Sequence, residues 1–246
     1  MTEQDQLPLP FQNRPDYDPA DFVPASSNDA ALRWLARDDW PDRRLALWGP
    51  EGCGKTHLLH IWTQRHAGTL LDGRTLADLS GLPDGGCLAL DDADQVRDPE
   101  LLLHLLNTAR DRGLKLLLAA RSAPARWPVS LPDLSSRLRA INAVEIDGPD
   151  DTLLQMLLVR ALAVRQLDVA ETARTWLLRH TPRTASGVQE AVRRLDMESL
   201  QQHKPITRAF AARVLGTPEA DFSDDVSPRE DSMSRPEHSP KLLDGL

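Results

Sequence analysis

The chain has 246 residues, 41% of them hydrophobic and 27% charged, with a formal net charge of −8. That is the composition of a globular protein with a real core, and it argues against a dedicated nucleic-acid binder carrying a basic stripe. No run approaches the ~20 apolar residues of a membrane span, and the start MTEQDQLP lacks the basic-then-apolar order of a secretion signal. The two cysteines, Cys53 and Cys87, are too few for a disulfide framework or a zinc site, so a cytoplasmic, reducing location is expected.

Residues 1–20 hold four prolines among polar residues and are expected to form a flexible or extended arm. Within it, Gln6-Leu7-Pro8-Leu9-Pro10-Phe11 offers three large apolar side chains on a proline-stiffened strip. From residue 21 to 148, short apolar runs alternate with helical patterns. The runs are Leu45–Trp48, Thr69–Leu71, Cys87–Leu90, Lys115–Ala120 and Ala143–Ile146. Helical periodicity fills Thr56–His66 and Pro99–Arg112, where Leu101, Leu102, Leu105 and Leu106 share one face. Strands alternating with helices predict an α/β fold, a parallel sheet covered by helices on both faces.

After Pro149 no strand-like run remains. Helices are predicted at about 150–166, 171–180, 185–203 and 206–215, with Asp150 or Asp151 capping the first, so residues 149–216 read as a small all-α domain. Residues 217–246 carry eight acidic against three basic residues and four prolines, and are expected to be a disordered acidic tail.

Two motifs carry chemistry. Gly49-Pro50-Glu51-Gly52-Cys53-Gly54-Lys55-Thr56 fits G-x-x-x-x-G-K-[ST] between the strand RLALW and the helical THLLHIWTQR. Glycines let backbone amides close around a phosphate, and the following helix start adds its positive dipole end. Lys55 is expected to reach the β- and γ-phosphates, and Thr56 to ligate Mg²⁺. The second motif, Cys87-Leu88-Ala89-Leu90-Asp91-Asp92, is an apolar strand ending in acid. Asp91 is the expected metal-side carboxylate and Asp92 the expected water-polarising base. His57 and His60 have no partners at metal-ligand spacing, and no serine sits in a nucleophile elbow.

These motifs, with Tyr17-Asp18-Pro19-Ala20-Asp21-Phe22-Val23 and Ser27-Asn28 before them, resemble the DnaA-related AAA+ proteins. So do His57-Leu58-Leu59 and Leu131-Pro132-Asp133-Leu134-Ser135-Ser136-Arg137-Leu138. The resemblance spans roughly residues 17–215 and implies an AAA+ P-loop NTPase fold with a helical lid, binding ADP or ATP with Mg²⁺. It implies that Phe22, Val23 and His57 lie by the nucleotide, and that Arg137 is an arginine finger following a short helix, with Arg139 the competing candidate. It places Ser186 where the family has a second sensing arginine, with Arg183 as a substitute, and leaves Arg121 or Ser122 in the sensor position after the fourth strand. Weak intrinsic hydrolysis is therefore expected. Side-by-side self-association is a further implication.

The helical pattern ends near Gly216 without the DNA-reading domain of an initiator. The resemblance therefore points to the short DnaA homologues that regulate the initiator. In those, a peptide like Gln6–Phe11 docks on the DNA polymerase III sliding clamp (its β subunit), through Gln6, Leu7, Leu9 and Phe11. DnaA is the second implied partner, DNA is reached only through the clamp, and no membrane is involved. The alternatives are an ATPase of another AAA+ branch, of helicase-loader or clamp-loader type, and a non-catalytic clamp-bound adaptor.

Overall fold

A computed structural model of the chain describes residues 17–216. The Gln6–Phe11 peptide and the acidic tail lie outside the described residues. The elements are α1 (Asp29–Leu35), β1 (Arg44–Trp48), α2 (Lys55–Arg65), β2 (Thr69–Asp72), β3 (Cys87–Asp91), α3 (Pro99–Asp111), β4 (Lys115–Ala120), α4 (Pro132–Ala140) and β5 (Asn142–Glu145), then α5 (Asp151–Val164), α6 (Glu171–His180), α7 (Ala185–Gln202) and α8 (Arg208–Leu215). No described helix is long and apolar enough to cross a membrane.

All five expected strands form one parallel sheet in the order β2-β3-β4-β1-β5. The central strands are apolar except at their ends because both faces are covered. Leu45, Leu47, Ala89, Leu117, Ala119 and Val144 pack with α1 and with Leu58, Leu59 and Trp62 of α2. On the other face Ala46, Leu88, Leu90, Leu116 and Leu118 meet Leu102, Leu105, Leu106 and Ala109 of α3 and Leu134 and Leu138 of α4. Each fully buried leucine contributes on the order of 1.5–3 kcal/mol. Of the four leucines predicted to share the inner face of α3, Leu101 stays half-buried at its edge.

Helix starts follow the side-chain chemistry. Asp98 caps α3, with Pro99 at its first position. Asp150, not Asp151, caps α5 by accepting from the Leu153 amide at 2.7 Å. Thr184 and Thr207 cap α7 and α8. The structure departs from expectation at α4. Arg137 lies inside this helix rather than after it, because Pro132 starts the turn and nothing breaks it before Ile141. Helices α5–α8 share a separate core around Leu154, Leu158, Leu177, Val192, Leu195 and Phe210, which Val23 joins from the N-terminal side.

Buried charge sits at the sheet's lower end. Lys115 opens β4, and its Nζ donates to the Arg37 carbonyl at 3.0 Å and to Asp38 at 3.1 Å. It also lies 4.2 Å from the centroid of the Trp40 ring, which stacks on Trp62. Asp38 itself is exposed, so only part of the pair is desolvated. Lys115→Ala should cost about 2 kcal/mol through the lost cation–π contact and the hydrogen bond to the Arg37 carbonyl. Urea unfolding of the whole chain measures this, and an unchanged midpoint would mean the tryptophan stack holds the region alone.

Candidate phosphate-binding site

Strand β1 ends at Trp48 and the chain turns at once into the glycine loop. Gly49 has φ +156 and lies so close to the Ile146 carbonyl that a Cβ would stand 2.1 Å from its oxygen. Gly54 precedes α2 in the left-handed region, φ +100, which favours glycine. Gly52, φ +78, is covered by the Thr184 side chain of the α7 cap, 2.5 Å from where a Cβ would be. The first turn of α7 is thereby seated on the loop.

Lys55 is buried and turned back into the loop. Its Nζ donates to the Gly49 and Pro50 carbonyls, 2.8 Å each, and reaches the Cys53 Sγ at 3.5 Å. The Thr56 hydroxyl donates to Asp91 Oδ2 at 2.7 Å. Strand β4 lies between β1 and β3, so loop and acid meet across its end, the switch point where open α/β sheets bind ligands. Asp91 Oδ1 accepts from the Asp92 amide at 3.0 Å. Asp92 has a left-handed backbone (φ 45), and its carboxylate pairs with Arg74 at 2.9 Å. Burial first, and the neighbouring Asp91 second, push the Asp92 carboxyl above the ordinary range, with Arg74 opposing.

A cavity of about 490 Å³ opens here, lined by Glu51, Gly52, Gly54, Lys55, Thr56, His57, Asp91 and Asp92 among the expected residues. Ser186 borders it from α7, with Ala185 and Gln189. Arg121 follows β4, lines the cavity and pairs with Glu51 at 3.2 Å. Phe22, Val23, Arg137 and Arg183 are not among the lining residues. Arg183 pairs with Asp151 at 2.6 Å and faces a groove between α5 and α6. Phe22 packs its ring edge on His57 and close to Gly54, while Val23 is buried with the helical core. His57 Nε2 donates to the Asp18 carbonyl, 2.9 Å away. Arg137 lies on α4, where its Nε donates to both Asp133 oxygens at 3.1 Å. Arg139, one turn-fraction on, is exposed and makes no ion pair or hydrogen bond among the described residues.

Tyr17, Arg74, Ala185 and Gln189 line the cavity without an individual role in the sequence reading. Tyr17 stacks on His60 at 4.0 Å between centroids and borders Thr56 and Asp91. Arg74 reaches Asp92 only because β2 lies beside β3 with Asp72 opposite Asp91, a pairing that no local motif announces.

The comparisons decide the fold. Domain III of the Thermotoga maritima replication initiation protein DnaA superposes with a TM-score of 0.65, over 82% of this chain and 96% of that one, at 18% identity. The chain has an AAA+ P-loop NTPase fold. AMPPCP-bound DnaA from Aquifex aeolicus shares this AAA+ fold with a TM-score of 0.60 at 16% identity, over 76% of this chain and 67% of that one. A mutant of Thermotoga maritima RuvB does so with a TM-score of 0.60 at 18% identity, over 77% and 68%. No family model matches the chain. An uncharacterised protein of Haemophilus influenzae strain Rd is 27% identical over 231 residues, covering 85% of this chain and 98% of that protein.

Within the AAA+ fold, the glycine loop, the Lys55 ammonium and the α2 N-terminus come together at one cavity. Thr56 and Asp91 are hard oxygen donors placed together, and this donor set suits Mg²⁺.

Proposed function

We propose that this chain is an Hda-like regulator of chromosomal replication initiation. It binds ADP or ATP in the loop cavity, is tethered to the β sliding clamp by Gln6–Phe11, and stimulates hydrolysis of DnaA-bound ATP by offering Arg137 in trans. The observation that carries this reading is the joining of a complete phosphate loop to the Asp91–Asp92 pair in a fold that superposes on DnaA domain III. The solved DnaA relative bound to AMPPCP supports an adenine nucleotide as the ligand. Lys55 would meet the phosphates, Ser186 would approach them from α7, and Thr56 with Asp91 would hold Mg²⁺, which supplies charge neutralisation when bound. The acid Asp92 would orient water.

Among the described residues the half-buried Arg137 pairs with Asp133, a neighbour one helical turn away on α4. Helical i,i+4 pairs of this kind are worth about 0.3–0.5 kcal/mol, so leaving Asp133 for a neighbour's γ-phosphate costs little. A clamp tether concentrates the protein near DNA without phosphate contacts, which suits a net charge of −8.

The test is capture on immobilised clamp. The intact chain should be retained, and a Leu7→Ala/Leu9→Ala variant should lose at least about tenfold in affinity, the cost of emptying an apolar pocket of two side chains. Equal retention of both would remove the clamp from the proposal. Fast DNA-stimulated ATP turnover by the protein alone would favour instead a self-acting motor of another AAA+ branch.

A further inference from the structure

A polyphosphate entering this cavity brings negative charge toward two carboxylates, Asp91 and Asp92, that already face each other's field. Some cation must compensate, or like-charge repulsion will oppose binding. Besides Lys55 and Arg121, the structure places a third cation there, Arg74, beside the two acids. Arg74 Nη2 lies 2.9 Å from Asp92 Oδ2, and the Arg74 side chain borders the same cavity as Lys55.

That placement is built into the turn after β2. The Gly73 amide donates to the Asp91 carbonyl at 2.8 Å, and the Arg74 amide donates to the Asp72 carboxylate at 2.9 Å. The Thr75 amide closes the turn on the Asp72 carbonyl. Gly73 approaches so closely that a Cβ would stand 2.3 Å from the Asp92 carbonyl oxygen, so only glycine lets the loop cross there. The Asp91 oxygens are also engaged, one by the Thr56 hydroxyl and the other by the Asp92 amide. Each acid at the end of β3 therefore has a partner from the chain itself.

We infer that Arg74 is a built-in counter-cation, which makes retention of a nucleoside polyphosphate by this site independent of a divalent metal ion. The inference rests on the nucleotide reading of the cavity given above. Thr56 and Asp91 can still take Mg²⁺, but affinity does not require it. The same ion pair engages one Asp92 oxygen and leaves the other to orient water, in line with the weak intrinsic hydrolysis expected of the chain.

A fluorescent ADP analogue titrated against the full-length protein, in excess magnesium and in EDTA, tests this. Wild-type affinity should differ between the two media by no more than about threefold. Arg74→Ala should bind at least about tenfold more weakly in EDTA and recover in magnesium, because the ion then supplies the missing charge. Arg74→Lys should keep most of the EDTA affinity, and thermal melting confirms that the variants fold. A wild type that loses more than about tenfold in EDTA overturns the inference alone. So does an Arg74→Ala protein that binds equally well in EDTA. Absence of binding in both media by folded wild type removes the nucleotide reading and this inference together.

Discussion

Replacing Arg137 by Ala should abolish stimulation of DnaA-bound ATP hydrolysis, by about a thousandfold or more, while clamp capture and nucleotide binding by the chain itself persist. The size follows from what a guanidinium does in phosphoryl transfer: it stabilises charge spreading over the γ-phosphate oxygens, a contribution of ~10³–10⁵ in rate. The substitution itself is mild for the fold. Arg137 contacts Asp133 on its own helix, and the buried members of α4 are Leu134 and Leu138. Arg137→Lys should fail to rescue, since a point charge lacks the planar fork. Arg139→Ala is the necessary companion, because Arg139 is exposed on the same helix and engages nothing among the described residues. Loss of stimulation in Arg139→Ala with full stimulation in Arg137→Ala would move the finger by two residues. Full stimulation in both variants would sink the trans mechanism and leave an adaptor.

Lys55→Ala should weaken ADP binding by about a hundredfold, since charge-assisted hydrogen bonds to phosphate are worth ~1.5–3 kcal/mol each. The ammonium has three donors, and in this structure the Gly49 and Pro50 carbonyls accept two of them at 2.8 Å. Binding therefore exchanges loop carbonyls for phosphate oxygens, and the loop must loosen as the lysine turns outward. Thermal melting reads the same event independently. Excess ADP should raise the melting temperature of the wild type by mass action and raise that of Lys55→Ala much less. An unchanged affinity in this variant would show that the loop amides alone hold the ligand.

Most of the sheet was legible locally. A run such as Lys115–Ala120 is apolar without alternation because helices cover both faces, and such runs are readable as buried strands. The helices after Pro149 were legible from the loss of strand-like runs and, for the first, from an aspartate cap. Helix α1 escaped notice. It is only seven residues long and buries a single residue, Ala31, so its periodic signal is short. The position of Arg137 was misjudged for a related reason, since a nine-residue helix with two buried leucines offers little pattern to mark its end.

The candidate site divides in the same way. Glycine spacing, the lysine–threonine pair and the acid-ended strand are contiguous stretches whose chemistry depends on local backbone, and the sequence by itself determined them. Only the tertiary structure decided which side chains answer them. Arg183 pairs with Asp151 of α5, a partner that its local sequence does not reveal. Phe22 and Val23 went to packing. Arg74 came to Asp92 through the parallel register of β2 and β3, and Thr184 came to Gly52 through the docking of α7. The physical reason is range: hydrogen-bonded loops and helix starts are set by neighbours in the chain, whereas ion pairing in a cavity is set by strand order and helix docking between segments far apart in sequence.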